Sequence, residues 1–346
     1  MKIGILTFHQ ASNYGALLQG YALQQTLIKL GAESQFVQID MKRSAPQAAP
    51  VLNPFAKRIQ KAKEMRDELF NLFRSQYLDI SKTYPKSDDI NSDFDAFIAG
   101  SDQIWNLEIP EVDMRYFLPF AEPKKCYSYA ASFGSVAVPE KAKEWIAKQL
   151  SQFAQISVRE EQGRALVKEL SGKEAEVCLD PTLLLERSDW QKLVKPYEGK
   201  PYLLLFLLQQ DAALAEKALT EAARRGLELK VVTASFIPQF GFEAWNTVGV
   251  CDWLTLIAHA GCVYTNSFHG LVFSLLFGRE VSLAPLGGNL GKRNGRLEEL
   301  LSLLHISPEE IAPRPVHIEE AELDRSFAVR KNESLAYLEK IIGGVS

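Results

Sequence analysis

Lys2-Ile3-Gly4-Ile5-Leu6-Thr7-Phe8 opens the chain as an apolar run of β character. The polar loop His9-Gln10-Ala11-Ser12-Asn13-Tyr14 follows. Residues 15–30 then carry Leu17, Leu18, Tyr21, Leu23, Leu27 and Leu30 at helical spacing. Gly31 stands where a helix would end on a left-handed residue. Residues 35–39 read as a second short strand. Strand, helix and strand in that order make a βαβ start, which predicts a parallel sheet covered by helices.

The same alternation continues outward from this start. Residues 41–92 interrupt it: Pro46, Pro50 and Pro54 break regular structure, and residues 56–77 are charged and helix-prone. This segment is expected to be an insertion or lid-like excursion. The sheet resumes at 95–99, with further strands at 125–130, 157–158 and 176–178 and helices at 139–153 and 160–170. A second series then places strands at 202–208, 227–233, 261–265 and 280–284. Its helices fall at 212–225, 252–260, 268–277 and 296–304, with a charged amphipathic helix at 318–342 closing the chain. Two β/α halves of similar size predict an α/β chain with two Rossmann-like domains, 1–190 and 191–346, facing across a cleft. The last helix is free to pack back on the first domain. A length of 346 residues suits two cores better than one.

Composition narrows the function classes. Hydrophobic residues make up 47% and charged residues 24%, an ordinary globular balance, and the net charge is −4. That charge argues against a nucleic-acid binder while leaving room for a local basic pocket. Cys126, Cys178, Cys251 and Cys262 form no CxxC pair and no zinc-ligand spacing, so reduced, buried thiols in a cytoplasmic protein and no metal are expected. The N-terminus lacks the apolar core of a signal peptide. Apolar runs such as 202–208 fall short of the roughly 20 residues of a membrane helix. Contact with a membrane surface stays open.

Each polar motif falls where a strand ends, which is where ligands bind in open parallel sheets. The first loop holds His9, Asn13 and Tyr14. It lacks a dinucleotide fingerprint, and Ser12 or Asn13 can simply cap the helix. In Gly100-Ser101-Asp102-Gln103-Ile104-Trp105-Asn106, the polar groups suit sugar hydroxyls and Trp105 suits either a sugar face or the core. Ser157-Val158-Arg159-Glu160 sets an arginine fork at a strand end, fit for phosphate or carboxylate or for an ion pair with Glu160. Thr265-Asn266-Ser267-Phe268-His269-Gly270 brings a histidine into the first turn of a helix, where an anion is favoured and proton transfer is available near neutral pH. Gly291-Lys292-Arg293-Asn294-Gly295-Arg296 is a basic, glycine-flanked loop that is not a Walker motif. These residues describe a phosphate-using two-domain enzyme without naming its reaction.

Five blocks in order resemble the polysaccharide pyruvyl transferase family. They are Gly4-Ile5-Leu6-Thr7-Phe8 with Asn13-Tyr14-Gly15-Ala16-Leu17-Leu18-Gln19, then the blocks at Gly100 and Ser157, then Asp180-Pro181-Thr182-Leu183-Leu184, then the block at Thr265. The resemblance implies a GT-B-like fold with an interdomain active site. It implies phosphoenolpyruvate as co-substrate, with no cofactor, and a sugar or lipid-linked oligosaccharide as acceptor. It implies catalytic roles for Arg159 and His269. Donor contacts would come from Arg159, Asn266, Ser267, His269, Lys292, Arg293 and Arg296. Acceptor contacts would come from His9, Asn13, Tyr14, Ser101, Asp102, Gln103 and Trp105. Many members carry an arginine two residues before the histidine, where this chain has Ser267; Lys292, Arg293 or Arg296 would then supply the charge. Two rivals stand beside this expectation: a glycosyltransferase using a nucleotide sugar, and a carbohydrate-binding protein without catalysis.

Overall fold

The structure is a computed structural model that describes residues 1–39, 53–84, 90–110, 112–134, 138–236, 244–287, 295–311 and 314–344. In the first half the order is β1 (Lys2–Leu6), α1 (Tyr14–Lys29), β2 (Glu33–Ile39), α2 (Pro54–Tyr77), β3 (Ile80–Tyr84), β4 (Ala96–Ala99), β5 (Cys126–Ser128), α3 (Glu140–Gln152), β6 (Ser157–Val158), α4 (Glu161–Ser171), β7 (Glu176–Val177) and α5 (Arg187–Gln191). The second half runs β8 (Tyr202–Leu207), α6 (Ala212–Arg225), β9 (Glu228–Thr233), β10 (Ala244–Trp245), α7 (Val250–Ala258), β11 (Cys262–Thr265), α8 (Phe268–Leu276), β12 (Glu280–Leu283), α9 (Gly295–Leu303), α10 (Pro308–Ile311) and α11 (Glu320–Gly343).

Two five-stranded parallel sheets result, with orders β3-β2-β1-β4-β5 and β10-β9-β8-β11-β12. In each, the first strand of its half lies at the centre, and the chain crosses over by helices. Central β8 is buried along its whole length, as its unbroken apolar sequence requires when both faces are covered. The pair β6-β7 extends the first sheet through the bridge Ala131↔Val158, which sets residue 159 at the same carboxyl edge. Helix α1 starts at Asn13, whose side chain accepts from Ala16 N, and its end is followed by Gly31 at φ +88.

The segment expected to be an excursion is part of the architecture. Strand β3 pairs in parallel with β2 and forms the edge of the first sheet, while α2 leads into it. The prolines at 46 and 50 lie outside the described residues. Strand β3 carries polar Ser81, Lys82 and Thr83, the composition of an edge exposed to water, and so lacked the apolar run that marks a strand.

One apolar cluster runs through both halves, beside one confined to each half. Tyr14 of α1 stacks on Trp253 of α7 with centroids 4.8 Å apart and planes at 10°, and its hydroxyl donates to Val248 O at 2.8 Å. Helix α11 lies against the first half: Tyr337 OH donates to Ser128 O at 2.8 Å, Ser334 Oγ accepts from Leu179 N at 3.0 Å, and Arg330 reaches Val177 O at 3.1 Å. Among the described residues, no helix is long and apolar enough to cross a membrane.

Candidate functional site

A cavity of about 1160 Å³ lies between the carboxyl ends of the two sheets. Two helices, α1 and α8, start at its wall, with Asn13 and Ser267 as their capping residues. Both present the positive ends of their dipoles, so the cavity favours an anion from both sides.

His269 sits one residue into α8 and meets α1 directly. A Cβ built on Gly15 would fall 1.9 Å from its Nδ1, so only a glycine at 15 lets the imidazole lie against the first helix. The other ring nitrogen, Nε2, faces Asp180 Oδ2 at 3.6 Å. Asp180 is held on all sides: Oδ1 accepts from Thr182 N at 3.0 Å and Thr182 Oγ1 at 2.7 Å, and Oδ2 accepts from Arg159 Nη1 at 2.7 Å. Burial alone would raise its pKa, but His269, Arg159 and Thr182 override that and hold the carboxyl far below the usual range. A fixed carboxylate behind a histidine helps set the ring's orientation.

Arg159 does not reach the large cavity. Its side chain is buried and spent on Asp180 at 2.7 Å, Glu160 at 3.3 Å and Asp102 at 3.5 Å. Three carboxylates surround the guanidinium, its Nη2 makes no hydrogen bond, and the direct donor contact expected of it is not seen at the cavity wall. Two guanidinium groups stand near the Phe268 ring, Arg159 at 5.5 Å and Arg296 at 5.3 Å from its centroid. Arg296 does line the cavity. It stands 3.5 Å from Asp102, and burial, with Arg159 next, lowers its pKa to about 10, which leaves it charged at neutral pH. Asp102 belongs to the first half and Arg296 to the second, so this contact spans the cleft. Asp102 adopts φ +76, a left-handed conformation that aspartate tolerates better than most residues.

His9 lies at the rim of the same cavity with its ring buried against Phe36. Its Nδ1 is 3.1 Å from Thr7 O and so carries the proton, and burial lowers its pKa to about 4. Gln103 lines the cavity, with Oε1 accepting from Asn106. Asn13 and Ser267 act as caps, as the sequence allowed. Asn266 ties the end of β8 to β11: it accepts from Leu208 N at 2.8 Å and donates to Gln209 O at 2.7 Å. Ser101 is fully buried, and its carbonyl accepts from Thr7 Oγ1. Trp105 is a correction. It is 1% exposed, stacked on Phe117 at 5.3 Å and 11°, with its indole N–H donating to Tyr116 O, so it is a core residue and offers no face to a sugar. Lys292 and Arg293 lie outside the described residues.

The sequence left several wall residues unnamed. Arg74 of α2 donates to the carbonyls of His9, Gln10 and Ala11 and so shapes the β1–α1 loop. Arg66 reaches across the cleft to Ala234 O at 2.9 Å and covers the Phe236 ring at 3.9 Å. Both sit in a charged helix whose sequence carries no sign of these distant partners. Among the described residues, no cluster of three or more His, Cys, Asp or Glu side chains could hold a metal.

The family model described as polysaccharide pyruvyl transferase matches residues 13–282. No curated protein matches the chain. Among solved structures, a protein assigned as UDP-N-acetylglucosamine 2-epimerase from Listeria monocytogenes superposes with a TM-score of 0.52 at 12% identity, over 98% of this chain and 96% of that one. The UDP-GlcNAc 2-epimerase from Neisseria meningitidis bound to UDP-GlcNAc has a TM-score of 0.49 at 10% identity, over 100% and 99%. The glycosyltransferase SnogD from Streptomyces nogalater has a TM-score of 0.42 at 12% identity, over 100% and 99%. The fold is of the GT-B type.

Proposed function

The chain belongs to the polysaccharide pyruvyl transferase family, and from that premise we propose that it moves the pyruvyl group of phosphoenolpyruvate onto two hydroxyls of a sugar in a polysaccharide or glycolipid precursor. The product is a ketal, and phosphate leaves. The observation that carries this reading is His269 at the cavity wall, backed by Asp180 and flanked by the starts of α1 and α8.

Phosphoenolpyruvate is a small trianion-forming donor, and two helix N-termini with Arg296 form a matching anion site. Arg296 takes the part that an arginine at position 267 plays elsewhere in the family, since Ser267 uses its hydroxyl to cap α8. His269 delivers a proton to the methylene carbon, and the adjoining carbon becomes oxocarbenium-like. One sugar hydroxyl adds there and loses its proton. Phosphate then leaves with its bonding electrons, and the second hydroxyl closes the ketal. One hydroxyl proton restores His269 and the other goes to phosphate, so the balance closes without an oxidant. Arg159 holds Asp180 and Asp102 in place. The reaction is expected in the cytoplasm, where phosphoenolpyruvate is made.

The test follows the proton. With sugar acceptor and phosphoenolpyruvate in deuterium oxide, the ketal methyl should gain one deuterium as phosphate is released. His269→Ala should abolish both while leaving the fold intact. Phosphate release from His269→Ala at the wild-type rate would remove His269 from the mechanism, and release only from a nucleotide sugar would replace the donor.

A further inference from the structure

Helix α2 has two different halves. Its C-terminal half is anchored through Phe70, Phe73 and Arg74, the buried residues of the helix. None of the residues from 54 to 69 is buried. In this arm Phe55 is 53% exposed, Met65 46% and Leu72, one turn beyond it, 53%. These are three of the largest apolar exposures among the described residues, gathered on one helix.

The charge of the arm is as uneven as its burial. Residues 54–63 carry Lys57, Arg58, Lys61 and Lys63 and no acid, a local charge of +4 in a chain whose net charge is −4. No carboxylate among the described residues pairs with Lys57, Arg58 or Lys61, whereas lysines elsewhere, such as Lys195 with Asp252 and Lys331 with Glu186, have acidic partners. At 100° per residue, Arg58, Lys61, Met65, Glu68 and Leu72 share one outward face. The helix N-terminus adds its own positive end. Cations interleaved with large apolar side chains on an exposed helix face fit the interface of an anionic bilayer, where the apolar groups enter the acyl boundary and the Lys and Arg stems reach the headgroups.

We propose that the N-terminal arm of α2 docks on an anionic lipid surface. The placement gives this a purpose, which rests on the proposed transfer to a sugar: the same helix lines the cavity through Arg66, Asp67 and Asn71, so a bilayer under the arm brings lipid-linked acceptors to the cleft mouth. Acidic protein or a second copy of the chain would meet the same cations. Only a bilayer also rewards Phe55, Met65 and Leu72 with an apolar phase of no fixed shape.

Co-sedimentation of the full chain with vesicles tests this. Vesicles of phosphatidylcholine with phosphatidylglycerol should pellet the protein, phosphatidylcholine alone should not, and added salt should release it. Each Lys or Arg near such a surface is worth about 1 kcal/mol, so Lys57→Gln, Arg58→Gln and Lys61→Gln together should lower partitioning ~100-fold. Phe55→Ser with Met65→Ser should lower it at fixed charge. Phosphate release with a water-soluble acceptor should be the same in these variants as in the wild type. Equal binding to both vesicles, or binding untouched by the triple change, would overturn the proposal. So would a halving of mass by light scattering in the triple variant without any vesicle binding, which would assign the arm to a second copy. Vesicle binding without any pyruvyl transfer would leave the docking surface standing and remove the proposed reaction.

Discussion

Replacing Gly15 by alanine puts one methyl group into the contact that joins the two halves at His269. The added carbon would fall 1.9 Å from Nδ1, 2.4 Å from Cε1 and 2.5 Å from Cγ of the imidazole. Ordinary contact begins near 3.4 Å, so the ring must retreat by about 1.5 Å or the helices must separate. The ring has little room, because Phe268 meets it edge-on at 5.0 Å and Asp180 stands behind it. Overpacking of this kind costs about 1–3 kcal/mol, and the better helix propensity of alanine returns about 1, so a net loss of about 0–2 kcal/mol is expected. A displacement beyond 1 Å at a proton donor lowers turnover by about 100-fold. Thermal melts and phosphate release measure the two effects. The double variant Gly15→Ala with His269→Ala supplies the control: with the ring gone, the methyl group has space, and its cost should vanish or turn into a gain. An equal cost in both backgrounds would refute the contact.

Three further outcomes follow from the same structure. His9 is held at about 4 by burial, opposed by the Thr7 carbonyl and assisted by Arg74; because the unfolded chain binds the proton first, stability should fall by about 3 kcal/mol as pH drops from about 6.5 to 4, and His9→Gln should flatten that arm of a denaturation series. Glu299 is raised to about 7 by burial and by Glu160 and Glu161; its folded form keeps a proton that the unfolded chain loses near pH 4.3, so stability declines between those values, and Glu299→Gln should raise the melting temperature more at pH 8 than at pH 5. Trp105→Ala should cost about 3–5 kcal/mol in urea titration, as expected for a core indole; a variant of native stability with a raised acceptor KM would restore the sugar-stacking role.

The parts of the fold that could be read beforehand are those with strong local patterns. Helix α6 shows apolar residues at helical spacing between Asp211 and Gly226, and its bounds match the sequence expectation. Strand β8 announces itself by six apolar residues in a row. Strand β3 was hidden because an edge strand facing water has no apolar face to display. The site divides in the same way. His269 was visible as a polar residue at a strand-to-helix junction. The carboxylate behind it was not, because Asp180 and His269 meet only through the packing of the two halves. Arg159 reads as an anion fork or as a partner of its neighbour Glu160, and nothing local revealed that Asp180 and Asp102 also close around it. Trp105 followed a polar turn like a binding residue, but Phe117 from a later turn folds over it. Gly15 carries a requirement that no local pattern expresses: its missing side chain is the space occupied by a ring from the other half.

The most direct test of the proposed donor is a thermal-shift titration with phosphoenolpyruvate, run beside uridine diphosphate, on the wild type and on Arg296→Ala. A ligand that binds the native state raises the melting temperature by mass action. A rise with phosphoenolpyruvate that is lost in Arg296→Ala is the expected result. A rise with uridine diphosphate and none with phosphoenolpyruvate would contradict the proposed reaction and assign the cavity to a nucleotide sugar.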